Sequence, residues 1–325
     1  MKSEKCQRPL PPLILEGEEY QRGLLWAEWA GVAYMLLTLV MMAILWHQLP
    51  NVSQMLQLRG LYLVVTILLW AVYRWKPCRL TLFLRVLGQM VFLSWWYPDT
   101  YELNRVLPNL DHLFASAEQS LFGCQPALLF SQKVTWGWFS ELMCLSYVSY
   151  FPLMLLVYLY YFFRRYHEFR LVSFVLLAAF FAYYVIFILV PVTGPQFYYL
   201  AVGTDKIAAG VFPDLGQWFL THSERMASPG WTDGFWYQML DLTHDAGERP
   251  TAAFPSSHVG ITTIVMLLAL RTRSRWLSLT VFPFYAMMCL STVYIFAHYA
   301  IDVLAGLVTG VLFYFLFIAL YHENR

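Results

Sequence analysis

Eight apolar runs alternate with polar stretches along the chain, at 26–46, 58–75, 80–97, 143–163, 171–191, 256–270, 276–297 and 300–321. Most approach the ~20 residues needed to cross a hydrocarbon core as a helix, so the pattern predicts eight transmembrane helices. The third run carries Arg85 in its interior, and the sixth is short but extends upstream through Phe254. The ~10-residue alternating segments of a membrane β-barrel are absent. Between the third and fourth runs, residues 98–142 are polar with scattered apolar positions, which predicts interfacial helices from Asp111-His112-Leu113-Phe114 onward. Residues 192–255 form a long polar loop rich in Gly, Pro, Asp and Trp. A loop of that length inside a compact protein points to function. The fold class that follows is all-α, a polytopic membrane helical bundle.

Composition narrows the class. The 325 residues are 59% apolar and 13% charged, against about 45–50% and about 25% for soluble domains. The net charge of +1 offers no basic field for a polyanion, so nucleic acid is excluded as a partner. Aromatic residues make up 18%, and Trp and Tyr favour membrane–water interfaces. Trp95-Trp96-Tyr97, Trp136-Gly137-Trp138 and Tyr198-Tyr199 are expected to form such belts, whereas Trp231, Trp236 and Tyr237 are candidates for a lipid access path. The five cysteines, Cys6, Cys78, Cys124, Cys144 and Cys289, match no zinc or redox spacing. A cleavable signal peptide is not expected, because the first 22 residues are polar and the first apolar run is too long.

Charge placement orients the bundle. With eight spans, the side holding both termini receives 14 Lys and Arg, and the opposite side receives Arg59, Arg105, Lys133, Lys206, Arg225 and Arg249. The positive-inside tendency then puts both termini in the cytoplasm. The segments 98–142 and 192–255 and the short loop at 297–301 face the extracytoplasmic side.

Two outward helix ends carry polar groups suited to chemistry. Phe254-Pro255-Ser256-Ser257-His258 opens the sixth span, and Ser256 or Ser257 suits the N-cap. Free backbone N–H groups and the helix dipole make that end an anion site, with His258 beside it. The second end is Ala297-His298-Tyr299-Ala300-Ile301-Asp302. Residues four apart share a helix face, so Asp302 is expected to hydrogen-bond one imidazole nitrogen of His298 and leave the other as a nucleophile. Two histidines around a phosphate-sized anion need no metal. One histidine would attack phosphorus and the second would protonate the departing oxygen.

These motifs resemble those of the type-2 phosphatidic acid phosphatase superfamily. Its second motif reads Pro-Ser-Gly-His, and here Ser257 takes the Gly position. Its third reads Ser-Arg, five residues, His, three residues, Asp; Ser291, His298 and Asp302 match, and Thr292 replaces the Arg. Its first reads Lys, six residues, Arg-Pro; Arg249-Pro250 fits the end, with Leu242 at the Lys position. The resemblance implies catalytic roles for His298, His258 and Asp302 and a phosphate cradle from Ser256, Ser257 and Arg249. It implies neither metal nor soluble cofactor. The lost Arg and the Tyr after His298 resemble the inositol phosphorylceramide synthase and sphingomyelin synthase branch. Pro191-Val192-Thr193-Gly194-Pro195 and Leu121-Phe122-Gly123-Cys124-Gln125-Pro126 are similar to bacterial members of that branch. The partners implied are a membrane phospholipid or lipid phosphate and a ceramide-like acceptor. The chain then divides into 1–97, a tail with three extra helices; 98–142, an extracytoplasmic interfacial segment; and 143–325, a catalytic membrane core with a lid at 192–255.

Three functions remain open on sequence, beside a non-catalytic lipid-binding membrane protein that has kept the fold. One is transfer of a phosphate-bearing head group between lipids through a phosphohistidine. Another is hydrolysis of a lipid phosphomonoester by the same machinery. The third is transport through a His/Asp proton relay, although transporter sites usually sit at the midplane and these pairs sit at helix ends. A phosphomonoester is nearly dianionic, so two missing family cations favour a diester. Lys206, Arg225, Arg105 or Lys133 could restore the charge by folding back. His222, His244 and Asp111-His112 are read as ordinary loop residues, although Asp241-Leu242-Thr243-His244-Asp245 could bind a metal or a polar head group. Arg85 is expected to snorkel or pair with a carboxylate. Gly306 and Gly310 are read as a close packing face.

Overall fold

The computed structural model describes residues 22–322 together with Gly17. The polar tail, Cys6, Lys2, Lys5, Arg8 and Arg325 of the sequence reading lie outside the described residues. The helices run in the order α1 (Trp26–Leu45), α2 (Val52–Trp75), α3 (Arg79–Asn104), α4 (Asp111–Phe122), α5 (Pro126–Lys133), α6 (Gly137–Val148), α7 (Tyr150–Arg164), α8 (Tyr166–Leu189), α9 (Pro195–Val202), α10 (Thr204–Ala208), α11 (Phe235–Gly247), α12 (Ser257–Arg271), α13 (Arg275–Tyr294) and α14 (Ala300–Leu320). The protein is an all-helical membrane bundle. α1, α2, α3, α8, α13 and α14 are long and apolar enough to cross a bilayer, and α6 with α7 makes a broken span bent by 47°. The bend follows from Pro152 in the first turn of α7, which lacks the N–H that would bond the Val148 carbonyl. The sixth apolar run is α12, shorter than the other spans at 15 residues. Both polar stretches fold into short helices, α4 and α5 in the first and α9, α10 and α11 in the second.

α8 is the central helix, buried along most of its length. α1 and α3 pack on one side of it, and α7, α12 and α14 on another. α12 and α14 approach closely because α14 presents Gly306 and Gly310. A Cβ on Gly306 would stand 2.6 Å from the Ser256 carbonyl oxygen, and one on Gly310 would stand 2.6 Å from that of Gly260. This is the packing face expected from the sequence, and it sets the start of α12 against α14.

The first three helices correct one assignment. Arg59, placed by sequence in an outward loop, lies inside α2 and is buried. Its guanidinium donates two bonds of 2.9 Å to Asp99 of α3. A charged residue breaks a hydropathy window, which is why the second run was started too late. Arg85 pairs with Glu28 of α1, both fully buried. Between these pairs, Tyr62 donates to Gln89 at 2.8 Å and Gln89 donates to Thr66 at 3.1 Å. The aromatic belts are also redrawn. Trp95, Trp136 and Trp138 are exposed, but Trp96, Tyr198 and Tyr199 are fully buried.

Candidate phosphate-transfer site

Ser256 is the N-cap of α12, its hydroxyl accepting from the Val259 N–H at 3.4 Å. Ser257 and His258 therefore occupy the first turn. The Ser256 N–H donates to the Asp302 carbonyl at 3.0 Å, which ties the start of α12 to the start of α14. Thr262 back-bonds to the His258 carbonyl at 2.6 Å. The His258 ring stacks on Tyr147 with centroids 4.5 Å apart and lies against Tyr150 at 4.6 Å. Its other neighbour is His298, edge-on at 5.8 Å between ring centroids. Ser256, Ser257, His258, His298 and Asp302 thus converge at two adjoining helix starts, as the motif spacing predicts.

The orientation of His298 differs from the expectation. α14 begins at Ala300 with Tyr299 as its N-cap, so His298 precedes the helix. Asp302 is the third helical residue and its Oδ2 accepts the Tyr299 N–H at 2.8 Å, the usual duty of an acidic group at that position. His298 Nδ1 is 3.7 Å from Asp302 Oδ2, too long for a hydrogen bond. It sits instead 2.8 Å from the Ala253 carbonyl oxygen. A carbonyl only accepts, so Nδ1 must carry the proton and Nε2 holds the lone pair. Asp302 contributes a nearby carboxylate, not the orienting bond.

Burial decides the charge state of His298. The side chain is 3% exposed, and desolvation lowers its pKa from 6.5 to about 4, partly offset by the Ala253 carbonyl and by Glu248. The imidazole is neutral at physiological pH, as a nucleophile must be. Burial pushes the Glu248 carboxyl up, while His298 and its bond from Gln196 Nε2 at 2.9 Å pull it down.

The loop carrying His298 is fixed from below. Gly194, at φ +91°, lies so close to it that a Cβ would meet the Ala297 carbonyl oxygen at 2.8 Å. A side chain there is excluded by both conformation and space. Asp111 gathers this arrangement. It accepts from the Thr193 N–H at 2.7 Å, the Thr193 hydroxyl at 2.9 Å, the Gly194 N–H at 2.9 Å and the Tyr299 hydroxyl at 3.0 Å. Asp111, read from sequence as an ordinary loop residue, is therefore a buried hub beneath the site.

The cation positions are equally informative. Thr292, where the family has Arg, is fully buried and its hydroxyl returns to the Met288 carbonyl at 3.2 Å. Leu242, where it has Lys, is 64% exposed on α11. Arg249 is exposed as well, so its side chain is not gathered into the buried cluster. Arg225 comes nearest to replacing them. It is bound to Asp241 at 2.7 Å and Asp245 at 3.0 Å, and it bears electrostatically on His244 and Glu248.

Sequence reasoning missed Glu248, Gln196, Tyr147 and Tyr150, and ranked His244 as an ordinary residue of the long loop. His244 is 2% exposed on α11 with its ring edge-on to Tyr147 at 5.6 Å. Its place in Asp241-Leu242-Thr243-His244-Asp245 was the available signal.

The fold and site define a helical membrane protein in which two buried histidines meet at adjoining helix starts. The family model described as the PAP2 superfamily matches residues 111–316, and the chain belongs to that superfamily. Its members are phosphatases or phosphotransferases. No curated protein and no solved structure matches the chain.

Proposed function

We propose that the protein transfers a phosphate-bearing head group from one membrane lipid to another through a phosphohistidine at His298, on the extracytoplasmic face. The observation that carries the chemistry is the Ala253 carbonyl at 2.8 Å from Nδ1, which reserves Nε2 for attack. Nε2 bonds to phosphorus as the bond from phosphorus to the first alcohol oxygen breaks, and His258 supplies the proton to that oxygen. The acceptor alcohol then gives its proton to His258, bonds to phosphorus and releases His298. The first turn of α12, with Ser256 and Ser257, faces the anion with N–H groups. With His298 nearly inaccessible, a lipid phosphate reaches Nε2 only when the covering 192–255 segment moves aside, which fits a lid.

Charge supports a diester donor over a monoester. A phosphomonoester has a second pKa near 6 and is largely dianionic at neutrality. Buried Thr292 and exposed Leu242 replace two cations that would hold it, and Arg225 is already neutralised by two aspartates. The resemblance to the inositol phosphorylceramide synthase and sphingomyelin synthase branch points the same way and suggests a ceramide-like acceptor. The hydrolase reading is favoured by one feature, the Arg225 guanidinium that bears electrostatically on His244 and Glu248. A panel of ³²P-labelled phosphatidic acid and phosphatidylinositol, each with and without ceramide, separates them. Label moving to ceramide from the diester supports transfer. Inorganic phosphate from phosphatidic acid, with no acceptor needed, would replace it with hydrolysis.

A further inference from the structure

Polar groups buried without partners are rare because each costs about 1–3 kcal/mol. Several cluster on the α6, α7 and α11 side of the histidine pair. Both ring nitrogens of His244, the Tyr150 hydroxyl and His258 Nδ1 are buried and unpartnered. They are joined by ring contacts, His244 to Tyr147, Tyr147 to His258 and His258 to Tyr150.

No hydrogen bond of its own ring holds His244 there. α11 is anchored by other residues. Glu141 of α6 accepts the Trp236 and Tyr237 N–H groups, each at 2.9 Å, and Arg225 grips Asp241 and Asp245. These tethers carry the imidazole into a dry position where its own hydrogen bonds are unmade.

We propose that His244, with Tyr150 and the Tyr147 ring, forms a second subsite that holds the hydroxyl oxygen of the acceptor alcohol beside the phosphorus on His298. This rests on the phosphohistidine reading above. The chemistry of the set selects the ligand. A neutral imidazole offers one N–H and one lone pair, and a phenol offers one of each. An alcohol hydroxyl complements both, whereas a phosphate oxyanion only accepts and a quaternary ammonium does neither. Burial and Arg225 lower His244 to about 4, so it is neutral at working pH. In the transfer step the acceptor O–H proton passes to His258, the oxygen–phosphorus bond forms and the phosphorus–Nε2 bond breaks. His244 keeps its own proton and fixes the oxygen by hydrogen bonding.

The test measures how the phosphoenzyme partitions. Full-length protein in detergent micelles receives ³²P-labelled phosphatidylinositol or phosphatidic acid, with a short-chain ceramide as acceptor. Label is read on the protein, on the acceptor lipid and in the aqueous phase. His244→Ala is expected to form the labelled protein as wild type does, but to lower the ratio of transfer to hydrolysis about tenfold, the effect of one lost hydrogen bond to a substrate. His244→Gln should recover part of the ratio, and Tyr150→Phe, which keeps the ring packing, should lower it in the same direction. A ratio unchanged in both His244→Ala and Tyr150→Phe, with labelled protein present, overturns the subsite alone. Wild-type protein that never acquires label at His298 overturns the phosphohistidine reading and the subsite with it.

Discussion

In α1–α3, Arg85 meets Glu28 and Arg59 meets Asp99, and Tyr62, Gln89 and Thr66 complete one another. Around α11, α12 and α14, both nitrogens of His244, Nδ1 of His258 and one oxygen of Asp302 have no partner. Ionisable groups at membrane depth suggest function by default, yet these two regions use them differently. Arg59 and Arg85 each leave a single nitrogen unmatched, and the Tyr34 hydroxyl and Trp96 indole nitrogen are unmatched as well, but both charges are neutralised by a carboxylate. That polar seam fixes how three helices sit in a solvent that gives them no hydrophobic reason to associate. The second region keeps hydrogen-bonding capacity in reserve. Buried charge is a weak guide to chemistry, and unmet polar capacity beside the His258–His298 pair is a stronger one.

The sharpest way to break this contrast is to remove a group from each side. His258→Asn should lower turnover by about 10²–10⁴-fold, the range for loss of a general acid, with little change in thermal stability. Arg85→Met should do the reverse. Breaking a buried pair by removing one partner destabilises by about 3–5 kcal/mol, so detergent-solubilised protein should melt at lower temperature while folded molecules keep their turnover. Replacing both Arg85 and Glu28 with apolar residues should recover most of that stability. An Arg85→Met protein of normal stability and no activity would move the seam into the catalytic machinery.

Gly306→Ala tests the junction between structure and site. Its Cβ would stand 2.6 Å from the Ser256 carbonyl and 3.2 Å from Val259 Cβ. Overpacking of this kind costs about 1–3 kcal/mol, and here it pushes on the N-cap of the His258 helix. Stability and turnover should both fall, since Ser256 is also bonded to Asp302.

The smallest effect is in pH dependence. His298 and His244 are both lowered from 6.5 to about 4. Between those values the unfolded chain binds protons that the native state does not. Their contribution to stability is complete above about pH 6.5 and is lost as pH falls toward about 4. The acid limb of the rate profile due to His298 should lie near pH 4 and not near 6.5. A limb at 6.5 would mean that the nucleophile is solvated in the working enzyme.

The spans were legible in the sequence because an apolar run reports its own solvent. Arg59 misled the count of outward charges because its partner lies 40 residues away, beyond any window. The motif histidines were legible because Ser256, His258, His298 and Asp302 sit at helix starts with capping chemistry. The orienting group was not, because a backbone carbonyl such as that of Ala253 has no sequence signature. Asp111 escaped for the same reason, since its bonds reach 82 and 188 residues along the chain. His244 was visible as a polar residue on a loop, but only the docking of α11 on α6 makes it a buried one.

The most direct test of the central claim is trapping, by an alkaline detergent quench, of protein incubated briefly with ³²P-labelled lipid, followed by mass mapping of the labelled residue at alkaline pH. The account predicts an acid-labile, base-stable label on His298, absent from His298→Ala and accumulating in His258→Asn when breakdown is slowed more than formation. Label on another residue, or turnover undiminished in His298→Ala, would contradict it.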